Sequence, residues 1–287
     1  MCVMVRFGPA GMEQSFYDRG MKSTIEMIPE LSKMGLNALE YQCGRGVNVG
    51  EKTAREIGKK AVEFDIALSI HAPYYINMAN PDKEKRANSI NYVLQTMQLA
   101  KYMGAVRVTA HIGSCTKMDR REAMGYALKT LEETITVCDE EGYGDIILCP
   151  ELMGKQNQLG DLDELMEMCL IDDRIIPCID FGHYNARTMG GLNDSNEYKR
   201  LLDVIENKLG YDRLKVMHVH FSRVQFTVGG EKMHHNYEDI EFGPSFEPYA
   251  EQIYKRNLEP IIICESKSKM AQDALTYKNI LLEYELK

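Results

Sequence analysis

Six apolar segments of this chain each run into a residue that can ligate a metal ion. IALSIHAPY carries His71, VRVTAHIGS His111, DIILCPE Glu151, IIPCIDFGH Asp180 and His183, LKVMHVH His218 and His220, and EPIIICES Glu265. The remaining histidines of the seven, His234 and His235, form a pair in a later loop. A single histidine at a strand end is most often a hydrogen-bonded polar residue. Seven of them, beside three strand-end carboxylates, point to a shared metal centre. Imidazole and carboxylate together suit zinc, manganese or iron, whereas all-oxygen sites suit magnesium or calcium. The histidine content favours Zn2+, with Mn2+ as the alternative. A carboxylate can bridge two ions, and two ions ~3.5–4 Å apart can activate a water and hold the leaving oxygen of an in-line displacement. Glu151, on the middle strand of the six, is the natural bridge and the catalytic candidate.

Ligands at strand ends demand strands that all point the same way. Apolar runs near 2–7, 37–42, 66–71, 105–111, 145–151, 175–180, 213–219 and 260–265 read as strands. Amphipathic stretches near 21–34, 51–64, 83–103, 119–142, 161–170, 195–209, 244–256 and 270–284 read as helices. Strict alternation of this kind predicts an α/β chain folded as a (β/α)8 TIM barrel, with its site at the C-terminal rim of the strands. Residues 1–287 are expected to form one such barrel. FGPAG after the first run is not GxGxxG, which argues against a doubly wound nucleotide-binding sheet. The DFG at 180–182 lacks the companion motifs of a kinase and is read as coincidence. An irregular stretch at 221–243 and a polar loop at 181–194 both follow strands, so both belong to the rim; loops this long on a barrel are more often functional than idle.

Composition bounds the partners. The chain is 44% hydrophobic and 27% charged, ordinary for a soluble protein. No apolar run approaches the ~20 residues of a membrane helix, and the first residues lack the pattern of a secretory signal. A cytoplasmic monomer with no membrane partner and no organic cofactor is expected. The eight cysteines include no CxxC pair and are read as reduced, without a thiolate metal site. A net charge of −9 argues against an indiscriminate nucleic-acid binder. Arg45, Lys117, Arg120, Arg187, Arg223, Lys232, Lys267 and Lys269 nevertheless fall on rim segments and could form a local phosphate-facing patch. Tyr74 and Tyr75 are suited to stack or wedge against an unstacked nucleotide.

In order and spacing, these segments resemble the endonuclease IV family, the second family of AP endonucleases, within the xylose isomerase-like barrels. The resemblance runs from the second strand to the eighth. It rests on His71-Ala-Pro-Tyr74, His111-Ile-Gly-Ser114, Pro150-Glu151, Asp180-Phe-Gly-His183, Met217-His218, His234-His235 and Cys264-Glu265-Ser266. It implies a barrel with a trinuclear zinc cluster that hydrolyses the DNA backbone 5′ to abasic sites, leaving a 3′-hydroxyl, in DNA base-excision repair. One zinc would be held by His71, His111 and Glu151, and a second by Glu151, Asp180, His218 and Glu265. The third would use His183, His234 and an aspartate two positions before that histidine, which here is Lys232. A cation there is no ligand, so two or three ions are implied. His220, His235 or a carboxylate such as Asp239 could complete the third site, or Lys232 could itself stabilise the leaving oxygen. Two further positions depart from the family pattern, at His111-Ile112-Gly113 and at His218-Val219-His220-Phe221. Tyr74 and Tyr75 match positions whose side chains enter DNA at the lesion, and Arg45 is a weaker match of the same kind.

The later ligands alone fit a second chemistry. Glu151, Asp180, His218 and Glu265 also match the single-metal site of sugar isomerases and epimerases on the same barrel, with Glu151 and Glu265 as acid and base. Such an enzyme has no need of His71, His111 and His183 as ligands, which favours the nuclease. A non-catalytic metal-binding barrel is a third reading, expected only if protein fills every coordination position.

Overall fold

The computed structural model describes residues 5–286. Eight parallel strands close the barrel: β1 (Arg6–Pro9), β2 (Ala38–Gln42), β3 (Ala67–His71), β4 (Arg107–Ala110), β5 (Ile147–Pro150), β6 (Cys178–Asp180), β7 (His218–Phe221) and β10 (Ile261–Cys264). Between β7 and β10 the chain makes a hairpin of β8 (Arg223–Thr227) and β9 (Gly230–His235). Two hydrogen-bonded runs, β2-β3-β4-β5 and β6-β7-β10-β1, form the wall. One seam joins Glu151, just past β5, to Cys178 of β6. The other joins β1 to β2, where the Asn37 amide donates to Phe7 O at 3.1 Å and Asn37 Oδ1 accepts from Phe7 N at 2.8 Å. Every residue of β4, β7 and β10 is buried, as expected of parallel strands covered on both faces.

Caps decide where the returning helices begin. Asp82 and Asp194 accept backbone N–H groups at the starts of Lys83–Met103 and Ser195–Leu209, and both helices match the expected spans to the residue. Asp161 with Glu164 and Asp194 with Glu197 form reciprocal capping boxes. The helices bury apolar faces such as Leu131, Leu202 and Ile253 against the barrel, each worth about 1.5–3 kcal/mol. The outer layer therefore supplies apolar stability, while the barrel interior is free to carry polar groups: Glu40, His218 and His220 are fully buried there.

Three segments differ from expectation, and all three shape the rim. The run read as a strand at 213–219 begins as a helical turn, Tyr211–Lys215, so β7 starts at His218 instead of ending near it. The loop 181–194 contains a helix, Phe181–Arg187, capped by Asp180 accepting from His183 N at 2.7 Å. The stretch 221–243 holds the β8–β9 hairpin, paired antiparallel. The run read as a strand at 2–7 lies partly outside the described residues, as does Cys2; the other seven cysteines are free. Among the described residues no helix is long and apolar enough to cross a membrane.

Candidate metal centre

Glu151 stands one residue past β5, and its two carboxylate oxygens face different neighbours. Oε2 lies 3.1 Å from Nε2 of both His71 and His111. Oε1 lies 3.3 Å from Nδ1 of both His183 and His220. His71 Nδ1 is 2.8 Å from Ala72 O, and a carbonyl only accepts, so Nδ1 carries the proton. A neutral His71 ring then turns a lone pair on Nε2 toward Glu151. Two acceptors at that distance require a cation or a proton between them. His183 Nδ1 is engaged by Leu152 O at 3.0 Å and His234 Nδ1 by Ser222 Oγ at 2.8 Å, which leaves Nε2 of each ring for other partners. Outer partners that fix an imidazole in this way are what metal-ligating histidines need.

A second group forms where Glu151, Asp180, His220 and Glu265 bring donor atoms within 4.8 Å of one another. Asp180 Oδ1 is spent on the His183 amide, while Oδ2 is buried without a hydrogen-bond partner. Burial, opposed by His183 and reinforced by Glu265, pushes the Asp180 carboxyl up to about 6. Burial would raise Glu151 too, but His111 and His220 outweigh it and hold that carboxyl well below the ordinary range. Three crowded carboxylates, with Asp180 Oδ2 3.3 Å from His183 Nδ1 but in no hydrogen bond and with imidazoles at their edge, form a donor set that fits a divalent cation.

It is His220, and not His218, that joins this group. His218 Nε2 donates to Glu40 Oε2 at 2.9 Å, one layer deeper in the barrel. Because β7 starts at His218, the rim comes two residues later, where His220 pairs across with Asp180 and Ile263. Burial pushes His218 down to about 4, so the ring is neutral. Cys178 lies within reach of His218 and His220, and burial pushes its thiol well above the ordinary value, which keeps it protonated.

A third group consists of His183, Glu231 and His234. His183 Nε2 is 3.5 Å from Glu231 Oε2, and His234 Nε2 is 3.7 Å from Glu231 Oε1. Lys232, expected at the ligand position, is exposed. Met233 pairs with Gln225 but Glu231 with Phe226, so Lys232 is the extra residue of a β-bulge. In a regular strand residues three apart face opposite sides; the inserted residue returns Glu231 to the face of His234. Gly230, at φ 97°, lets the hairpin dock close to the rim, since a Cβ there would lie 2.1 Å from Gly154 O. His235 and Asp239 do not complete the group: the His235 ring stacks on Phe242 at 3.8 Å and its Nδ1 meets Asp239 Oδ2 at 3.3 Å.

All three groups reach a cleft of about 470 Å³, whose lining also includes Tyr74, Lys155 and Gln158. Lys155 is an exposed cation on this wall that the motifs did not single out. The basic patch is thinner than expected. Arg120 is held by Glu164 at 2.6 Å and by the carbonyls of Gln156 and Gln158. Arg187 binds the carbonyls of Met153, Lys155 and Gln158, Arg223 those of Tyr237 and Phe242, and Lys269 pairs with Glu238. These four cations staple loops, Lys269 from an exposed position; Arg45, Lys117, Lys232 and Lys267 are exposed as well. Tyr74 and Tyr75 are 53% and 50% exposed, enough to meet a partner. The Tyr74 ring lies 5.0 Å from the His71 ring and its hydroxyl donates to Gln42 Oε1 at 3.1 Å. Gly44 permits this, because a Cβ there would stand 2.5 Å from Tyr74 Cε2. The loop after β2 that carries Arg45 packs on both tyrosines, since a Cβ at Gly46 would stand 2.8 Å from the Tyr75 hydroxyl.

Fold and rim together define a (β/α)8 barrel whose C-terminal end gathers imidazole and carboxylate in adjoining donor groups suited to divalent metal. The chain belongs to the xylose isomerase-like TIM barrel family, whose profile matches residues 28–280. An uncharacterized protein of Methanocaldococcus jannaschii is 30% identical over 264 residues, 92% of each chain. A probable endonuclease 4 of Mycoplasma pneumoniae is 31% identical over 161 residues, 54% of this chain and 53% of that relative, so this match spans about half its length. Among solved structures, endonuclease IV from Thermus thermophilus superposes with a TM-score of 0.68 at 18% identity, over 97% of this chain and 98% of that one. A D-tagatose 3-epimerase-like protein superposes with a TM-score of 0.73 at 19% identity, over 98% and 97%. At such identities the likeness speaks for the fold alone, and proteins of two different names share it.

Proposed function

We propose that this chain is a divalent-metal-dependent phosphodiesterase that cleaves the DNA backbone 5′ to abasic sites. The observation that carries the reading is Glu151, one carboxylate whose two oxygens face two donor groups, with a third group adjoining through His183. A single-metal sugar epimerase would need only the group of Glu151, Asp180, His220 and Glu265. The His71–His111 pair and the His183–Glu231–His234 group would then be surplus, and buried imidazoles gathered without a purpose are costly. The motifs that resemble the endonuclease IV family supply His71, His111, Glu151, Asp180, His183, His234 and Glu265 of these groups, though not His220 or Glu231, and a probable endonuclease 4 stands among the sequence relatives.

Zinc or manganese held by these groups would supply an acidified water and positive charge for an in-line displacement at phosphorus. The chain's own residues supply the rest. Glu151 keeps two donor groups in fixed relation. Lys155 offers a cation to a phosphate at the cleft wall. Tyr74 and Tyr75 present exposed rings to a stack already weakened by a missing base, and the cleft accepts the extruded sugar. With a net charge of −9 and few free cations on the rim, the protein would bind ordinary duplex poorly and favour the deformable lesion.

Purified protein is expected to nick a duplex carrying one abasic site, to lose that activity on prolonged chelation and to regain it with zinc or manganese. Nicking that survives complete metal removal would overturn the reading. Epimerisation of a ketohexose by the same sample, without nicking, would favour the single-metal alternative. In the same assay series, Tyr74→Ala should weaken binding of the abasic duplex about tenfold, as loss of one stacking contact predicts. Fluorescence anisotropy would measure this; an unchanged Kd would remove Tyr74 from the DNA interface.

A further inference from the structure

Directly beneath the second donor group lies a carboxylate that no motif contains. Glu40, on β2, is fully buried in the barrel interior. Its Oε2 accepts from His218 Nε2 at 2.9 Å, Ser69 Oγ at 2.9 Å and Thr109 Oγ1 at 3.3 Å. Its Oε1 accepts from Gln42 Nε2 at 3.3 Å and lies 3.0 Å from His220 Nε2. The contact to His220 has ion-pair distance but lies off the ring's N–H axis. Four strands thus converge on one buried charge. A well-packed apolar side chain at this point would cost no charge desolvation, so fold stability alone does not explain an ionised group here.

The two nitrogens of His220 face opposite ways. Nε2 points down to Glu40, and Nδ1 points up to Glu151 at 3.3 Å and Glu265 at 3.5 Å. A proton on Nε2, favoured there by the Glu40 charge 3.0 Å away, leaves a lone pair on Nδ1 for the rim. A proton on Nδ1 would instead block that nitrogen as a ligand. His218 shares Oε2 of Glu40 and so braces the carboxylate from the side, which gives a role to the histidine that the rim does not use.

We infer that Glu40 is a positioning residue, which from inside the barrel fixes the orientation and tautomer of His220 and so sets the affinity of the ion held with Glu151, Asp180 and Glu265. This rests on reading the rim as a metal centre, and the experiment separates the two. Glu40→Gln keeps the size but sets an N–H group against one of the two imidazoles. Zinc titration against a chromophoric chelator is expected to show one site weakened about 10–100-fold, the range for losing an outer partner of a metal-bound histidine. The other sites should be unchanged, and Glu40→Asp should restore part of the loss. A crystal structure of metal-free Glu40→Gln should show the His220 ring turned away from its wild-type orientation. If Glu40→Gln melts earlier but binds every zinc as wild type does, with the ring unmoved, the inference is overturned. If the wild type binds no zinc, the metal centre fails, and the ring orientation alone decides the positioning role. Should Glu40→Gln not fold, Glu40→Asp carries the test: one selectively weakened ion supports the inference, and a wild-type zinc profile overturns it.

Discussion

Glu151→Gln is expected to lower kcat on an abasic duplex by about 10³-fold. Each tenfold step corresponds to ~1.4 kcal/mol of transition-state stabilisation, and losing one preorganised electrostatic contact costs about 10²–10³. Glu151 does more than one such contact, because Oε2 faces His71 and His111 while Oε1 faces His183 and His220. Glutamine keeps one acceptor oxygen and turns an amide donor toward the other set. Whichever way it is oriented, one donor group loses its carboxylate and meets an N–H instead. The bound-metal count should fall with the activity. Single-turnover nicking beside elemental analysis would check this; a variant that keeps wild-type rate and wild-type metal content would show that Glu151 is not the bridge.

The second large effect is expected at the hairpin. Glu231→Gln should remove the ion of the third group and slow nicking about 10²-fold, whereas Lys232→Ala should change the rate less than about twofold. Glu231 faces His183 and His234 at 3.5 and 3.7 Å, while Lys232 is the exposed residue of the bulge. Deleting Lys232 offers a sharper version. It places the glutamate two residues before His234, where ordinary strand alternation keeps both on one face, so the third ion should be retained. Rates and zinc content of the three variants decide the matter. A large loss in Lys232→Ala with little in Glu231→Gln would restore Lys232 as the residue that stabilises the leaving oxygen.

The two histidine positions show what the sequence could and could not display. Helices 83–103 and 195–209 were legible to the residue because an aspartate cap precedes each apolar pattern. His71, His111, Glu151, Asp180 and Glu265 were legible because apolar runs end on them, and the barrel brings their ends together. His218 lies below the rim although LKVMHV reads as one apolar run ending on it, because the first residues of that run complete the helical turn Tyr211–Lys215. That moved the start of β7 and put His220 on the rim. Glu231 was missed because a bulge changes which face a residue takes, and its signal is only an acid three residues before a histidine instead of two. Glu40 was missed because a lone charge within ALEYQ looks solvent-facing until the barrel brings β7 across from it. The basic patch is thinner than the sequence suggests, since cations count alike in a sequence, yet Arg120, Arg187 and Arg223 are spent on backbone carbonyls.

The rim is expected to hold more than one ion. The most direct measurement is metal content per chain, by elemental analysis of protein purified without chelator, on the sample used for nicking. Two or three ions per chain, lost together with activity, are predicted. A single ion per chain, with wild-type zinc binding retained when His71 and His111 are both replaced by alanine, would contradict it.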